Sequence, residues 1–243
     1  MRIIRKSGFG LFILVVLAAV SKSIAVAGDY ASRDVIGFSP DGRYFAFEQY
    51  GVQDGSGFPY SEIFIIYTGN DSWVKGSPVK VLIDNESQGV EAARKRARNE
   101  AGTLLNRHRI SDPGEHLASN PRAELSADPH EIAVNTAHQM TPPVEEPVRF
   151  TIGEQTLNSA PCSAFTDMVK GFTLTMQPGG DERVLHEDKR LPESRGCPLG
   201  YAFADIYRHV SGDKQTFAIL LHMQQVGFEG PDSRFLAVTA RLP

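Results

Sequence analysis

The sequence predicts a mainly β protein of antiparallel meanders in a propeller-like arrangement, with one inserted α-helix at about residues 89–107. A two-sheet β-sandwich is the alternative. Short apolar or alternating runs, which are typical of strands, recur from residue 35 to the C-terminal end. Segments rich in Gly, Pro and Asp separate these runs and are typical of turns. After residue 27, only one long stretch has apolar residues at the spacing of a helix.

The densest strand-and-turn signal lies in residues 36–66. The tetrapeptide Ser-Pro-Asp-Gly at 39–42 follows a short apolar run and predicts a tight turn. Residues 43–49 then alternate between two faces, as a half-buried strand does. Residues 63–66 form a continuous apolar run, which predicts a strand that is buried on both faces.

This stretch resembles the repeat of TolB-type β-propellers. In that repeat a Phe-Ser-Pro-Asp-Gly turn leads to an apolar strand, as Phe38–Gly42 and Phe45-Ala46-Phe47 lead here to residues 63–66. The resemblance implies a propeller blade, although the loop at 50–60 is longer than in that repeat. A full propeller needs at least four blades, whereas the sequence offers two candidate hairpins.

The second candidate hairpin comes from an internal comparison. Shifting the chain by 172 residues aligns Phe45-Ala46 with Phe217-Ala218 without a gap, and six further identities fall mostly on turns and strand starts. We therefore expect residues 36–66 and 211–238 to share one structural plan.

The N-terminal residues 1–27 have the pattern of a secretory signal peptide. Arg2, Arg5 and Lys6 precede an apolar segment at 8–20, and Ala-Val-Ala at 25–27 is a small-x-small cleavage site. This pattern predicts that the protein is periplasmic or secreted. The remaining residues, 28–243, are expected to form a single β-rich domain. The pattern also predicts no stable membrane span after cleavage; an uncleaved anchor is the alternative.

The charge of the mature chain is acidic. The full chain has a net charge of −4, and residues 1–27 contain four cations and no acid, so cleavage leaves −8. An acidic surface argues against nucleic acid or an anionic lipid surface as a partner.

Two cysteines, Cys162 and Cys197, stand in the predicted exported domain. An oxidising compartment favours a disulfide between them, and neither belongs to a C-x-x-C pair that would indicate zinc or a redox centre.

The helix at 89–107 begins an insertion of about residues 87–147. The apolar side chains form one narrow stripe along the helix, and most of its cationic side chains lie off this stripe. We predict that the cationic face is exposed to solvent; the alternative is that it contacts phosphate groups or an acidic partner. Six prolines interrupt residues 108–147, which predicts an irregular excursion with at most a short helix near 130–138.

No known catalytic spacing is present. His130-Glu131 begins like a zinc-protease helix, but Val134 stands where the second histidine is required. We therefore predict no catalytic residue, no metal site and no cofactor from sequence motifs.

The best candidate for a ligand or partner site is a glycine-rich loop with Asp54, Ser56, Phe58 and Tyr60, together with Arg195 on a second loop. Loops on a rigid sheet frequently carry recognition. The alternative, which we favour, is that glycines shape this turn so that Phe58 and Tyr60 pack onto the core.

Residues 53–61 and 194–198 also resemble a family of bacterial predicted secreted proteins that is classed as a domain of unknown function. The resemblance covers most of the mature chain and implies export and a common scaffold, but it brings no activity. The predicted function is a non-enzymatic binding or scaffolding module with an unknown protein or cell-envelope ligand as its partner. The alternative is a cell-envelope hydrolase whose site is assembled from distant loop residues.

Overall fold

The structure is a computed structural model that describes residues 28–136 and 146–242. The predicted signal peptide at 1–27 lies outside the described residues and stays a prediction, as does any structure at 137–145.

The described residues form thirteen strands in three antiparallel sheets and one α-helix. The first sheet contains β1 (Ser32–Phe38), β2 (Tyr44–Val52), β3 (Pro59–Tyr67), β4 (Ser72–Trp73) and β5 (Val79–Leu82), with β4 and β5 both paired to β3. The helix α1 (Val90–His108) follows. The other strands are β6 (Glu115–Ser119), β7 (Glu131–Val134), β8 (Val148–Leu157), β9 (Val169–Gln177), β10 (Arg183–Glu187), β11 (Pro198–Ser211), β12 (Lys214–Gln225) and β13 (Asp232–Leu242).

These later strands make two sheets. The central sheet has the order β13-β12-β11-β6, and the second sheet has the order β10-β9-β8-β7. The central sheet is buried on both faces. On β12, Phe217, Ile219 and Leu221 pack in a core with the second sheet, whereas Ala218 and Leu220 pack in a core with the first sheet. This two-sided burial explains why residues 217–221 are apolar without interruption.

The first sheet is also buried on both faces. Phe64 and Ile66 of β3 pack toward the central sheet, and Ile63 and Ile65 pack toward α1. The prediction that residues 63–66 are buried on both sides is therefore confirmed. The layers follow the order α1, first sheet, central sheet, second sheet.

The helix is found where the sequence predicts it. Its buried positions are Ala93, Ala97 and Ala101, one turn apart, and all three are fully buried against the first sheet. Small side chains at this spacing allow the helix to approach the strands closely.

The mainly β, antiparallel prediction is confirmed, but the propeller is not. The described residues form three sheets, none of them closed into a barrel, and the central sheet lies between the other two. The packing is sandwich-like, with one more sheet and a helix than the two-sheet alternative. A hairpin motif specifies only local strand pairing, so the resemblance to a propeller repeat could not specify how whole sheets stack.

The offset of 172 residues corresponds to a matching order of strands. Adding 172 to the bounds of β1, β2 and β3 gives 204–210, 216–224 and 231–239, which fall on β11, β12 and β13 in turn. Both sets of three strands are antiparallel meanders.

The sequence allows at most a short helix near 130–138, and the described part of this segment, 130–136, contains a strand instead. Glu131–Val134 forms β7, which pairs with β8, and Glu115–Ser119 forms β6 on the edge of the central sheet. The Pro-rich excursion therefore contributes one strand to each of two sheets, because short extended runs between prolines can complete the edges of sheets already formed.

The cationic face of α1 is not entirely solvated. Glu48 on β2 is fully buried, and it accepts hydrogen bonds from Arg98 Nη2 at 2.7 Å and Arg94 Nε at 3.2 Å. The hydroxyl of Ser61 also donates to Glu48, at 2.8 Å. Two arginines of the helix thus neutralise a buried carboxylate of the first sheet. Lys95 on the same helix is exposed.

Cys162 and Cys197 form a disulfide, as predicted. The bond ties the turn at Ala160–Cys162, ahead of β9, to the residue that precedes β11. It therefore links the second sheet to the central sheet.

Replacing both cysteines by serine will lower the free energy of unfolding by about 3–4 kcal/mol, because the bond closes a loop of 35 residues in the unfolded chain. Denaturant unfolding with and without dithiothreitol measures this loss. The wild-type protein should lose the same stability on reduction, and the double variant should not respond to the reductant; equal stability of oxidised wild type and variant would contradict the expectation.

The free energy of unfolding of the protein depends on pH through Glu48. Burial raises the pKa of this carboxyl, but the hydrogen bonds from Arg94, Arg98 and Ser61 outweigh burial and hold the pKa below its ordinary value of 4.5. Since the pKa in the folded state is lowered, the stabilisation is present above pH 4.5 and is lost as the pH falls through the folded pKa. Glu48→Gln should lower stability at pH 7 by about 2 kcal/mol and flatten the fall in stability between pH 5 and pH 3. A parallel acid profile for both proteins, measured by urea unfolding, would contradict this.

Candidate functional site

A cavity of 380 Å³ lies beside β13, the edge strand of the central sheet, where all three sheets meet. Residues of the first sheet line one side of the cavity, and His186 of the second sheet lines the other together with the loop at 192–195. The lining residues are Phe47, Gln49, Glu62, Phe64, Ile66, Asp71, Trp73, Lys80, His186, Pro192, Ser194, Arg195, Met223, Gln225 and the segment 234–238.

The first sheet contributes an apolar and aromatic patch to the cavity wall, made of Phe47, Phe64, Ile66 and Trp73. The rings of Phe47 and Phe64 stack with their centroids 4.9 Å apart, and the centroids of Phe64 and Trp73 are 5.7 Å apart. Alternation on β2 and β3 directs Phe47, Phe64 and Ile66 to this side. Trp73, the only tryptophan of the chain, keeps 47% of its surface exposed.

The wall from the second sheet is polar. Asp188, which follows β10, is buried and accepts hydrogen bonds from the backbone N–H of Phe172 at 3.0 Å, from Arg195 Nη1 at 2.5 Å and from His186 Nε2 at 2.8 Å. The Arg195 guanidinium, which only donates, is also 3.1 Å from His186 Nε2. Because the carboxylate only accepts and is the nearer group, we assign the proton to Nε2.

These contacts determine the charge of Asp188. Burial raises its pKa, but the bonds from His186 and Phe172 and the charge of Arg195 outweigh burial and hold the pKa below its ordinary value. Arg195 also lies over the ring of Phe172, 4.8 Å from the centroid. Burial raises the pKa of the neighbouring Tyr201 to about 12, so this hydroxyl is neutral. The polar wall is therefore a fixed set of paired groups.

The rim of the cavity is made of further paired charges. Lys80 lies 2.7 Å from Glu62, and Glu62 accepts a hydrogen bond of 2.7 Å from Gln49 Nε2. On the other side Arg234 forms an ion pair with buried Asp29 at 2.5 Å. Lys80 with Glu62 and Arg234 with Asp29 are thus paired within the protein.

Two side chains of the first sheet bind the main chain of β13. Gln49 Oε1 accepts a hydrogen bond of 2.7 Å from the N–H of Phe235. Asp71 Oδ1 accepts bonds from the N–H and the hydroxyl of Thr239, at 2.7 and 2.8 Å. Asp71 has a positive φ of 51°, which turns its carboxylate toward the central sheet. Burial raises the pKa of Asp71 above its ordinary value.

A family model described as predicted secreted protein (DUF2259) matches residues 46–241. The chain belongs to this family. The match includes every strand from β3 to β12, together with all the residues that line the cavity. Comparison with curated proteins and with solved structures gives no significant match.

Membership of the DUF2259 family confirms the predicted secreted location, since the family is described as secreted. Within residues 28–136 and 146–242, no helix is long and apolar enough to cross a bilayer. In the same part of the chain, no three His, Cys, Asp or Glu side chains converge as a metal site would require.

The structure separates the loop residues that the sequence singles out in this DUF2259 protein. Asp54 Oδ2 accepts a hydrogen bond of 3.0 Å from the N–H of Glu229. The hydroxyl of Ser56 donates to Gln53 and accepts from the N–H of Phe58, both at 3.2 Å. These contacts maintain the shape of the loop and tie it to the β12–β13 connection.

Tyr60 and Arg195 lie elsewhere. The Tyr60 hydroxyl is buried and donates to Asp29 at 2.9 Å, and burial raises its pKa. The Tyr60 ring lies 4.9 Å from the guanidinium of Arg234. Arg195 is the one member of the predicted set that lines the cavity. A binding role for the loop itself stays a prediction.

Sequence reasoning missed His186, Asp188, Gln49 and Asp71. His186 and Asp188 stand two residues apart near the end of a strand, so a common face could have been suspected. Nothing local indicates that Gln49 and Asp71 bind β13, because their targets lie 186 and 168 residues further along the chain.

Gln49→Leu will lower the free energy of unfolding by about 1–3 kcal/mol, because it leaves the partly enclosed N–H of Phe235 without an acceptor. Gln225→Leu is the matched control, since Gln225 also lines the cavity but makes no side-chain hydrogen bond among the described residues. Thermal unfolding measures both variants, and equal effects would show that Gln49 does not act through this bond.

Proposed function

We propose that this protein is a secreted, non-enzymatic binding module whose ligand lies in the cavity beside β13. The observation that carries the proposal is the cavity itself, which places an aromatic wall opposite a wall of fixed polar groups. Its volume of 380 Å³ falls in the usual range of ligand sites, about 300–1,000 Å³.

The apolar wall would supply most of the affinity. Trp73 and Phe64 offer partly open aromatic surface, and burying such rings against a ligand removes apolar area from water. In the part of the chain that the structure describes, no further strand pairs with β4, which contains two residues and leaves Trp73 about half exposed. A ligand in the cavity would cover it.

The polar wall would supply orientation. Asp188 holds both Arg195 and His186 in place before any ligand arrives, so the remaining hydrogen-bonding positions of these two side chains are preorganised. Because the charges of the rim are internally paired, the site favours a ligand of low net charge. A ligand or protein of the cell envelope fits the secreted location.

No observation favours the hydrolase alternative strongly enough for us to propose it. That alternative required Asp54, Ser56, Tyr60 and Arg195 to share one pocket, and Arg195 alone lines the cavity. Ser194 is also in the wall, but no described contact joins its hydroxyl to a general base.

The mature protein should bind the fluorescent probe anilinonaphthalene sulfonate in the cavity through the aromatic rings of the probe, and energy transfer from Trp73 should report it because this is the only tryptophan. Ser194→Phe, at an exposed position of the cavity wall, should reduce probe binding about tenfold by occluding the site. Ser163→Phe is the matched control, since Ser163 is equally exposed but lies outside the cavity.

Absence of energy transfer, or equal binding to both variants, would contradict a ligand site at this place. A circular dichroism spectrum and an unfolding curve for each variant establish that the substitutions leave the fold unchanged.

A further inference from the structure

We infer that the cavity takes an extended peptide, which pairs with the outer edge of β13 and adds one strand to the central sheet. This inference rests on the proposed function, and it names the chemical class of the ligand.

The hydrogen bonds of β13 show which of its main-chain N–H and C=O groups point away from β12. The N–H of Ser233 donates to Asp29 O at 2.8 Å, and Ser233 O accepts from the N–H of Ala31 at 3.0 Å. Neither partner belongs to β12, so the N–H and C=O groups of Ser233 point away from the central sheet. The N–H groups of Phe235 and Thr239 also point away, toward Gln49 and Asp71.

These three residues have odd numbers, as the period of two in a strand requires. In an antiparallel ladder, alternate residues direct both N–H and C=O toward the same neighbour. The even-numbered residues of this segment therefore bond to β12, with which β13 is paired throughout. Ala237 is the remaining odd-numbered residue between Phe235 and Thr239, so its N–H and C=O both point into the cavity.

The structure gives Ala237 no main-chain partner on this side among the described residues. Ala237 is half-buried and lines the cavity together with Phe235 and Val238. Half-buried main-chain groups in the middle of a strand are normally paired. Every other outward N–H from 233 to 239 has an acceptor from the protein, so the gap at Ala237 is confined to the cavity.

The shape of the cavity also fits a strand. The central sheet lies between the first and second sheets, and the cavity beside β13 is lined by Trp73 of the first sheet and by His186 of the second sheet. Because β13 is the edge strand, the cavity lies next to the edge at which the central sheet has no further strand. A strand there would occupy the position of a missing neighbour of β13.

The two walls predict the character of the bound peptide. Successive side chains of a strand point to opposite faces, so alternate residues would meet Phe64 and Trp73 on one face and His186 and Arg195 on the other. We expect apolar or aromatic residues at alternate positions and polar residues between them. The acceptors Gln49 and Asp71 bound the open edge between residues 235 and 239, a span of roughly 13 Å in which Ala237 is the residue that offers both main-chain groups to a peptide.

Selection from a phage-displayed library of random heptapeptides on the immobilised mature protein tests the inference. Selected peptides should show the alternating pattern, and each is then synthesised with single N-methyl groups along its main chain. Methylation at alternate positions should weaken binding about tenfold or more because it removes a main-chain donor, whereas methylation at the positions between should have little effect. Because the change is in the peptide, the fold of the protein is not perturbed.

Amide hydrogen exchange gives the matching measurement on the protein. The Ala237 N–H should become protected when a selected peptide binds, whereas the N–H of Val238, which faces β12, should already be protected in the free protein. Ser194→Phe should abolish binding, and Ser163→Phe should leave it unchanged.

Several outcomes would overturn the inference. One is the selection of no peptide while anilinonaphthalene sulfonate still binds in a manner sensitive to Ser194→Phe; the proposed function would then stand and the peptide would not. Another is peptide binding without alternation in the methylation series or without protection of Ala237. Pairing of this edge with a second copy, seen as a dimer in sedimentation of the free protein, would also overturn it. If neither the probe nor any peptide binds, the proposed function fails as well.

Discussion

Burial of the central sheet on both faces is the constraint on which the rest of the structure depends. Strand β12 is apolar on both sides, with Phe217, Ile219 and Leu221 against the second sheet and Ala218 and Leu220 against the first. A strand of this kind is stable only when two further layers cover it. The first sheet has the same requirement on its outer face, and α1 supplies the cover through its buried alanines.

The layered arrangement explains where the cavity lies. Residues of both outer sheets line the cavity beside β13, so the edge of the central sheet forms part of its wall. An open edge is a liability in a soluble protein because its main-chain groups can pair with other chains. Side chains of the first sheet, namely Gln49 and Asp71, close part of that edge, and the described residues provide no partner for the outward main-chain groups of Ala237.

Buried ion pairs join the layers to one another. Glu48 receives Arg94 and Arg98 from the helix, and Asp188 receives Arg195 from the loop that the disulfide secures. Between the first and central sheets, Arg33 forms an ion pair with fully buried Asp205. Pairs of this kind add little net stability over an apolar contact, but removing one partner is costly. They therefore specify which layers meet, and they prearrange the polar wall of the cavity.

The sequence by itself determined what depends on near neighbours and composition: the strand periodicities, the helix at 89–107, the disulfide between the only two cysteines, and the likeness to a secreted family. It indicated a repeat at an offset of 172 residues, and the order of strands agrees with it. The tertiary structure alone decided how the sheets stack and which side chains form the site. Periodicity reports which face of a strand is buried but not which element covers it, and so the propeller expectation was not confirmed. The contacts of Gln49 with Phe235 and of Asp71 with Thr239 join residues more than 160 positions apart; only the packing of the layers brings them together.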